Sequence, residues 1–278
     1  MAALTDLSDL INRATGGNSG TPQNVFWHKA ARAAGAAATA PIAGRPASLW
    51  TYDGQPAGGT APGAVAAPTN STTGALPFTS PGGGRQSWMT QAWATGLVAG
   101  TVILYDRLLH ISGLSGTNTA AQTVGGTLTR NTGGVGNMAM IEVYTVIGTT
   151  ATTVTMEYTN QAGTTGRVST AVAIGGTGFR EVTRAIILPL QAGDTGIQAV
   201  ANVDLLATTG TAGNFGVTVF NPIAYIGIGA AGNPGWRDFV TGMPGIPEIE
   251  SGACLSLIWI PNTTTVPELF GGYGIVEA

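Results

Sequence analysis

The chain has 278 residues, of which 44% are hydrophobic and only 9% charged, with a formal net charge of −3. An ordinary soluble domain carries roughly 25% charged residues. The apolar content and a mean hydropathy of +0.24 exclude disorder of the whole chain, because disorder needs few apolar residues and high net charge. The eleven lysines and arginines form no block, so nothing resembles the basic face a nucleic-acid binder requires. The polar surface must come from Thr, Ser, Asn and Gln, which suits a subunit partly covered by neighbours.

The start, Met1-Ala2-Ala3-Leu4-Thr5-Asp6, lacks a cationic region and an apolar run, so no signal peptide is expected. Apolar stretches such as Leu97 to Tyr105 fall short of the roughly 20 residues a spanning helix needs, and no membrane is expected as a partner. The single cysteine, Cys254, allows no internal disulfide, which fits a reducing cytoplasm.

Residues 4 to 14 predict a short amphipathic helix. Leu4, Leu7, Leu10, Ile11 and Ala14 recur at helical spacing, Thr5 or Asp6 can cap it, and Gly16-Gly17 ends it. So short a helix must dock on something. A second helix is predicted from Asn24 to Ala38, containing Phe26 and Trp27 and stopped by Pro41. From Asp53 to Gly84 the 32 residues hold five prolines and eight glycines. This is a linker or an extended arm laid on another surface, with Val65, Leu76 and Phe78 as anchor points. Residues 1–87 are therefore expected to form an N-terminal arm, and 88–278 a β domain.

Strand signals dominate from about Trp88. Ala139–Ile147 and Thr152–Thr159 read as a hairpin closed by Gly148 to Ala151. In the second, Val154, Met156 and Tyr158 alternate with threonines and Glu157. Further strands are expected over Thr101–Ile111, Arg167–Ile174, Glu181–Leu190, Ile197–Ala207, Phe215–Ile228 and Cys254–Ile260. Short strands with Gly-rich turns and no intervening helix predict a mainly β fold, an antiparallel β-sandwich or jelly roll. Residues 229 to 252 read as a long loop carrying Trp236, Glu248 and Glu250.

Chemistry-bearing motifs are sparse. Asp194-Thr195-Gly196 matches an aspartic-protease tripeptide, but the preceding Gln191-Ala192-Gly193 is a turn and no second copy exists. Gly227 to Gly232 spells G-x-G-x-x-G, but Asn233-Pro234-Gly235 follows where a helix would have to start. His28 and His110 are the only histidines, so no zinc spacing arises. Cys254 lies in an apolar run and reads as a buried small hydrophobe. Glu142 and Glu157, and Glu248 and Glu250, are paired carboxylates of the kind glycosidases use, but they read as solvated strand and loop positions. No catalytic residue, metal or cofactor is expected, and the chain is read as a non-enzyme.

The Thr/Gly-rich strand–turn units, Val143 to Thr150 with Val154 to Tyr158, and Ala207 to Val219, resemble those of virion structural proteins of tailed bacteriophages, in particular capsid decoration (cement) proteins and minor head or tail components. The resemblance covers residues 88 to 278. It implies a subunit, assembled in the host cytoplasm and resident in the virion, that stabilises the head by binding across neighbouring capsid subunits. The major capsid protein would be the partner and a homotrimer the favoured oligomer. Leu4, Leu7, Leu10, Ile11, Phe26, Trp27 and Phe78 are the expected partner contacts. The alternative is a glycan-binding host-recognition module of a tail fibre or baseplate, using Trp236, Phe239 and Tyr273.

Overall fold

The computed structural model describes residue 4 and residues 6–17, 21–30, 40–241 and 245–278. The chain enters through a helix, α1 (Leu7–Ala14), and three strands, β1 (Gln23–Ala30), β2 (Ala47–Ser48) and β3 (Gly54–Gln55). There follow β4 (Ser87–Gly96), β5 (Gly100–Leu114), β6 (Gln122–Thr123), β7 (Met138–Thr145), β8 (Thr152–Asn160), β9 (Arg167–Val168), β10 (Val172–Ile174) and β11 (Ala185–Leu188). The last stretch holds β12 (Ile197–Leu205), β13 (Asn214–Ile228), β14 (Gly235–Asp238), β15 (Glu248–Ile249), β16 (Leu255–Pro261) and β17 (Glu268–Glu277).

These strands form three antiparallel sheets. The first runs β14-β4-β17-β1-β3, with β15 also on β4. The central sheet runs β11-β7-β13-β5-β16-β2, and the third runs β10-β8-β12-β6 with β9 on β8. The central sheet closes on itself. Ala47 bridges Arg184, Ser48 N donates to Thr183 O at 2.8 Å, and Ala185 N donates to Pro46 O at 3.1 Å, so its two edge strands meet and neither edge is left free. The first and third sheets pack on the outside of this closed sheet, each making a sandwich with it.

Two long strands hold both sandwiches together. On β5, Val102 and Leu104 join the core beneath the first sheet, while Leu109 joins the core beneath the third. Two even-numbered residues and an odd one share a face because Leu108 is an extra residue. Leu109 pairs with Val219 and Arg107 with Phe220, leaving a bulge between them. A bulge shifts the alternation by one position and so keeps the apolar residues outward along all of β5. Ile223 does the same on β13, where Pro222 pairs with Tyr105 and Ala224 with Leu104. The inward positions, Tyr105, Met140, Ala185, Phe220 and Ile258, pack together inside the closed sheet.

The sandwich expected from the sequence is present, but several elements differ from expectation. Residues 23–30 of the predicted second helix are β1, an interior strand flanked by β17 and β3; residues 31–38 lie outside those described. Trp27 and Lys29 face the core and Phe26 and His28 face out, so an inward lysine beside an outward phenylalanine hides the alternation. The hairpin of 139–147 with 152–159 does not form. Both strands exist, but β7 pairs with β11 and β13 in the central sheet, and β8 with β12, β10 and β9 in the third. The connection crosses between sheets.

No break falls at residue 87. The Pro/Gly-rich segment lies on the chain's own body. Leu76 N donates to Leu255 O at 2.8 Å and Ala66 exchanges backbone bonds with His110. Arg130 donates to Pro68 O at 2.9 Å while paired with Asp106. Among the described residues, the expected arm therefore gives Trp27, Leu49, Tyr52, Leu76 and Phe78 to the core. The long loop of 229–252 contains β14 and β15, both paired to β4.

Candidate functional site

Buried ionisable groups are the first place to look for chemistry, and two of the buried pairs, Arg107–Glu142 and Arg130–Asp106, are spent on each other. Glu142, expected to be solvated, is 1% exposed. It lies inside the closed sheet, where its Oε1 accepts from Arg107 Nη1 at 3.0 Å. Its Oε2 accepts from Arg107 Nη2, from Thr218 Oγ1 and from Tyr144 Oη at 2.8 Å. Burial pushes the carboxyl up, but the Arg107 charge and these donors outweigh it and hold Glu142 below the usual carboxylate range. Arg107 stacks over the Trp50 ring at 4.5 Å. The Cys254 thiol is pushed up to about 12 by burial, which leaves it unreactive at neutral pH.

Glu157 sits in the third sheet, bonded to Asn202 at 3.0 Å, and does not face Glu142. Asp194 lies in a turn and accepts from Arg167, Tyr158 and Asn160. These satisfied groups hold the fold. Among the described residues, no group of three or more His, Cys, Asp or Glu side chains is placed to hold a metal ion, and no helix is long and apolar enough to cross a membrane.

The sequence-expected contact residues divide by burial. Leu10, Trp27, Phe78, Phe239 and Tyr273 are core residues at 6% exposure or less; the Tyr273 hydroxyl donates to Pro77 O at 2.5 Å. Trp27, Phe78, Phe239 and Tyr273 cannot meet a partner without unfolding, whereas Leu10 borders an open groove. Leu7, Ile11, Phe26 and Trp236 are each more than half exposed.

The exposed residues form two surfaces. One is the outer side of α1. Asp6 caps this helix by accepting from Asp9 N at 2.8 Å. Arg13 pairs with Asp9 at 2.9 Å and donates to Glu277 O at 3.2 Å, which pins the helix to β17. Leu10 faces the body; Leu7 and Ile11, one turn apart, face solvent at 58% and 56% exposure. Beside them Leu4, Asp6, Leu7, Leu10, Val240 and Ile246 line an open groove of about 260 Å³.

The other is the outer face of the first sheet. Cross-strand register sets Phe26 opposite Gly272, Gly272 opposite Trp93, and Trp93 opposite Trp236. Phe26 and Trp236, assigned to different readings in the sequence, thus stand in one row. Three strand spacings separate them, about 14 Å. Sequence reasoning missed the inner members: Trp93, half-buried between them, and Phe270 and His28 in the adjacent row, whose rings stack at 4.5 Å. The signal was the alternation in Trp88 to Gly96, which puts Trp93 on the same face as Gln91 and Thr95.

The fold defines a mainly β protein built of antiparallel sheets, with two exposed surfaces that carry apolar side chains. No family model matches the chain, and no curated protein is similar to it. Among solved structures, the infectious bursal disease virus Gt strain aligns at 7% identity over 93% of this chain and 80% of that one, with a TM-score of 0.19. The infectious bursal disease virus VP2 subviral particle aligns at 8% identity over 93% and 81%, with a TM-score of 0.17. At such scores the alignments carry no argument about fold or function.

Proposed function

We propose that this chain is a non-catalytic virion structural protein, a capsid decoration subunit that binds across neighbouring capsid proteins and so stabilises a phage head. The observation that carries this reading is the apolar outer stripe of α1. A helix fixed at both ends by a cap and a buried arginine holds Leu7 and Ile11 in water beside a groove lined by Leu4, Val240 and Ile246. Fully burying one such side chain gains about 1.5–3 kcal/mol, and rimmed apolar patches of this kind are contact sites. The 9% charge content and the mutual satisfaction of the buried Arg107–Glu142 and Arg130–Asp106 pairs support a role in contact over one in catalysis. The partner is the major capsid protein, and a trimer would multiply a modest contact into tight attachment.

The test uses purified protein added to undecorated heads. Leu7→Asp with Ile11→Asp should lower head occupancy at least about a hundredfold, with the melting temperature of the free protein unchanged. Full occupancy by that double variant rejects the reading.

A further inference from the structure

The outer face of the first sheet plays no part in that contact, and its chemistry is different. Two successive cross-strand rows share one plan. In the first, Phe26 and Trp93 flank Gly272; in the second, Asn24 and Gln91 flank Gly274. The rows lie two residues apart along each strand, about 7 Å. The glycines are required by their neighbours. A Cβ at Gly272 would come within 2.8 Å of Trp93 Nε1, and one at Gly274 within 3.3 Å of Gln91 Nε2. The indole and the amide therefore lie over the β17 backbone instead of standing beside it. Phe270 bounds this strip at one end. At the other a groove of about 350 Å³, lined by Ala14, Pro22, Asn24, Gln91 and Gly274 among others, runs up to the end of α1.

We propose that this strip is a binding site for a neutral oligosaccharide, with Phe26, Trp93 and Trp236 as stacking surfaces and Asn24 and Gln91 as hydrogen-bonding groups. An aromatic face carries negative potential and attracts the electropositive C–H side of a pyranose ring. A primary amide offers a donor and an acceptor together, which matches a hydroxyl. Among the described residues neither the Asn24 nor the Gln91 side chain has a partner, so both are available to a ligand.

Charge selects among ligands. The rows contain no lysine or arginine. Nearby charges are engaged: Glu268 with His28 at 2.8 Å, Asp238 with its own turn at Val240 N, and Arg237 with Tyr225 O. Single-stranded nucleic acid stacks on aromatic platforms only inside a positive groove, which is lacking among the described residues, and an acidic glycan would find no counter-charge among them. The rigid sheet and the alternation of ring and amide fit a chain of sugars better than a protein surface, whose hot spots sit in closed, desolvated pockets.

The test is binding of the intact protein to a panel of immobilised glucan, mannan and N-acetylglucosamine oligomers, with sialylated and uronate oligomers as comparators. Neutral oligomers should bind. Phe26→Ala and Trp236→Ala should each weaken binding at least about tenfold without moving the melting temperature, while Leu206→Ser, in the bend just after β12, should leave it unchanged. The Leu7/Ile11 double variant should bind glycan normally, so failure here and failure of the head-binding reading are separate results. Absence of neutral-glycan binding, preference for the acidic oligomers, or full binding by the Phe26/Trp236 double variant overturns the proposal, as does cross-linking that places a protein partner on this face.

Discussion

Arg107 donates its Nε–H to Nδ1 of His110 at 2.9 Å. An arginine can only donate, so Nδ1 must stay unprotonated. Trp50 closes the other side, edge-on to the imidazole at 5.7 Å. Burial, then the Arg107 charge, push His110 down to about 3. The unfolded chain binds that proton near 6.5 and the folded chain does not. The group is therefore a base with a depressed folded pKa, whose contribution is complete above 6.5 and is lost as pH falls toward 3. Between pH 6.5 and 4.5, above the carboxylate range, stability should fall by about 1.4 kcal/mol per pH unit at most. Urea unfolding across that window should show the slope, and His110→Gln, which keeps an acceptor for Arg107, should flatten it. An equal slope in the variant would sink the assignment.

The Arg107–Glu142 pair beneath it is a buried ion pair at 0% and 2% side-chain exposure. Removing one member strands the other charge, at about 3–5 kcal/mol. Arg107→Met and Glu142→Leu should each cost that much in denaturant unfolding. The double variant Arg107→Met with Glu142→Leu should cost less than the sum, because an apolar pair inside a closed sheet leaves no unpaired charge. Strict additivity would mean the two side chains are not coupled.

How much of this was legible follows from where each face points. The third sheet's β8 was readable because its inner face is apolar and its outer face threonine. β7 was readable as a strand but not as a partner. It buries Ala139, Ile141 and Val143 on one side and Met140 and Glu142 on the other, and a strand buried on both sides carries no alternation to say which sheet owns it. The closure of the central sheet rests on two residues of β2 and one bridge to Arg184, too little sequence to leave a pattern. Glu142 read as solvated because its partner, Arg107, is 35 residues away. The aromatic row was half visible, with Phe26 and Trp236 named for separate reasons. Only register, which is non-local, sets them in line through Trp93.

β1 gives a sharp contrast between adjacent residues. Trp27 is 1% exposed and Phe26 54%. Trp27→Ala should cost about 3–5 kcal/mol, in the range of large core truncations, while Phe26→Ala should fall within about 0.5 kcal/mol of the parent. Gly271→Ala should also destabilise, since a Cβ there would lie 2.1 Å from Trp27 Cζ2 and 2.5 Å from Trp93 O. Deleting residues 1–87 removes this strand, so the truncated chain should fail to fold rather than fold and fail to attach. Circular dichroism of the truncation decides it, and a native β spectrum would show that β1 is dispensable.

Lys29 works in the opposite direction along the pH scale. It is 2% exposed, and its Nζ donates to Tyr52 O at 3.1 Å and Pro56 O at 2.9 Å. Burial pulls it down to about 8, against a smaller upward pull from Asp53. Below pH 8 the folded protein carries a buried ammonium that the unfolded chain hydrates freely, and this opposes folding. As pH rises from 8 toward 10.5 the folded state releases its proton first, so stability should climb, by about 3 kcal/mol at the limit. Tyr105, pushed up to about 12 by burial, stays protonated through this window and adds no slope of its own below pH 10. Cys254, raised by burial from 9.0 to about 12, keeps a proton that the unfolded chain releases, so it opposes the rise above pH 9. The rise should therefore be visible between pH 8 and 9 in denaturant unfolding. Lys29→Met keeps the stem and removes the charge, so it should be flat over the same range and more stable than the parent at pH 7. A parent curve that is flat or falling from pH 8 to 9 would show that water reaches Nζ and that the ammonium is not desolvated.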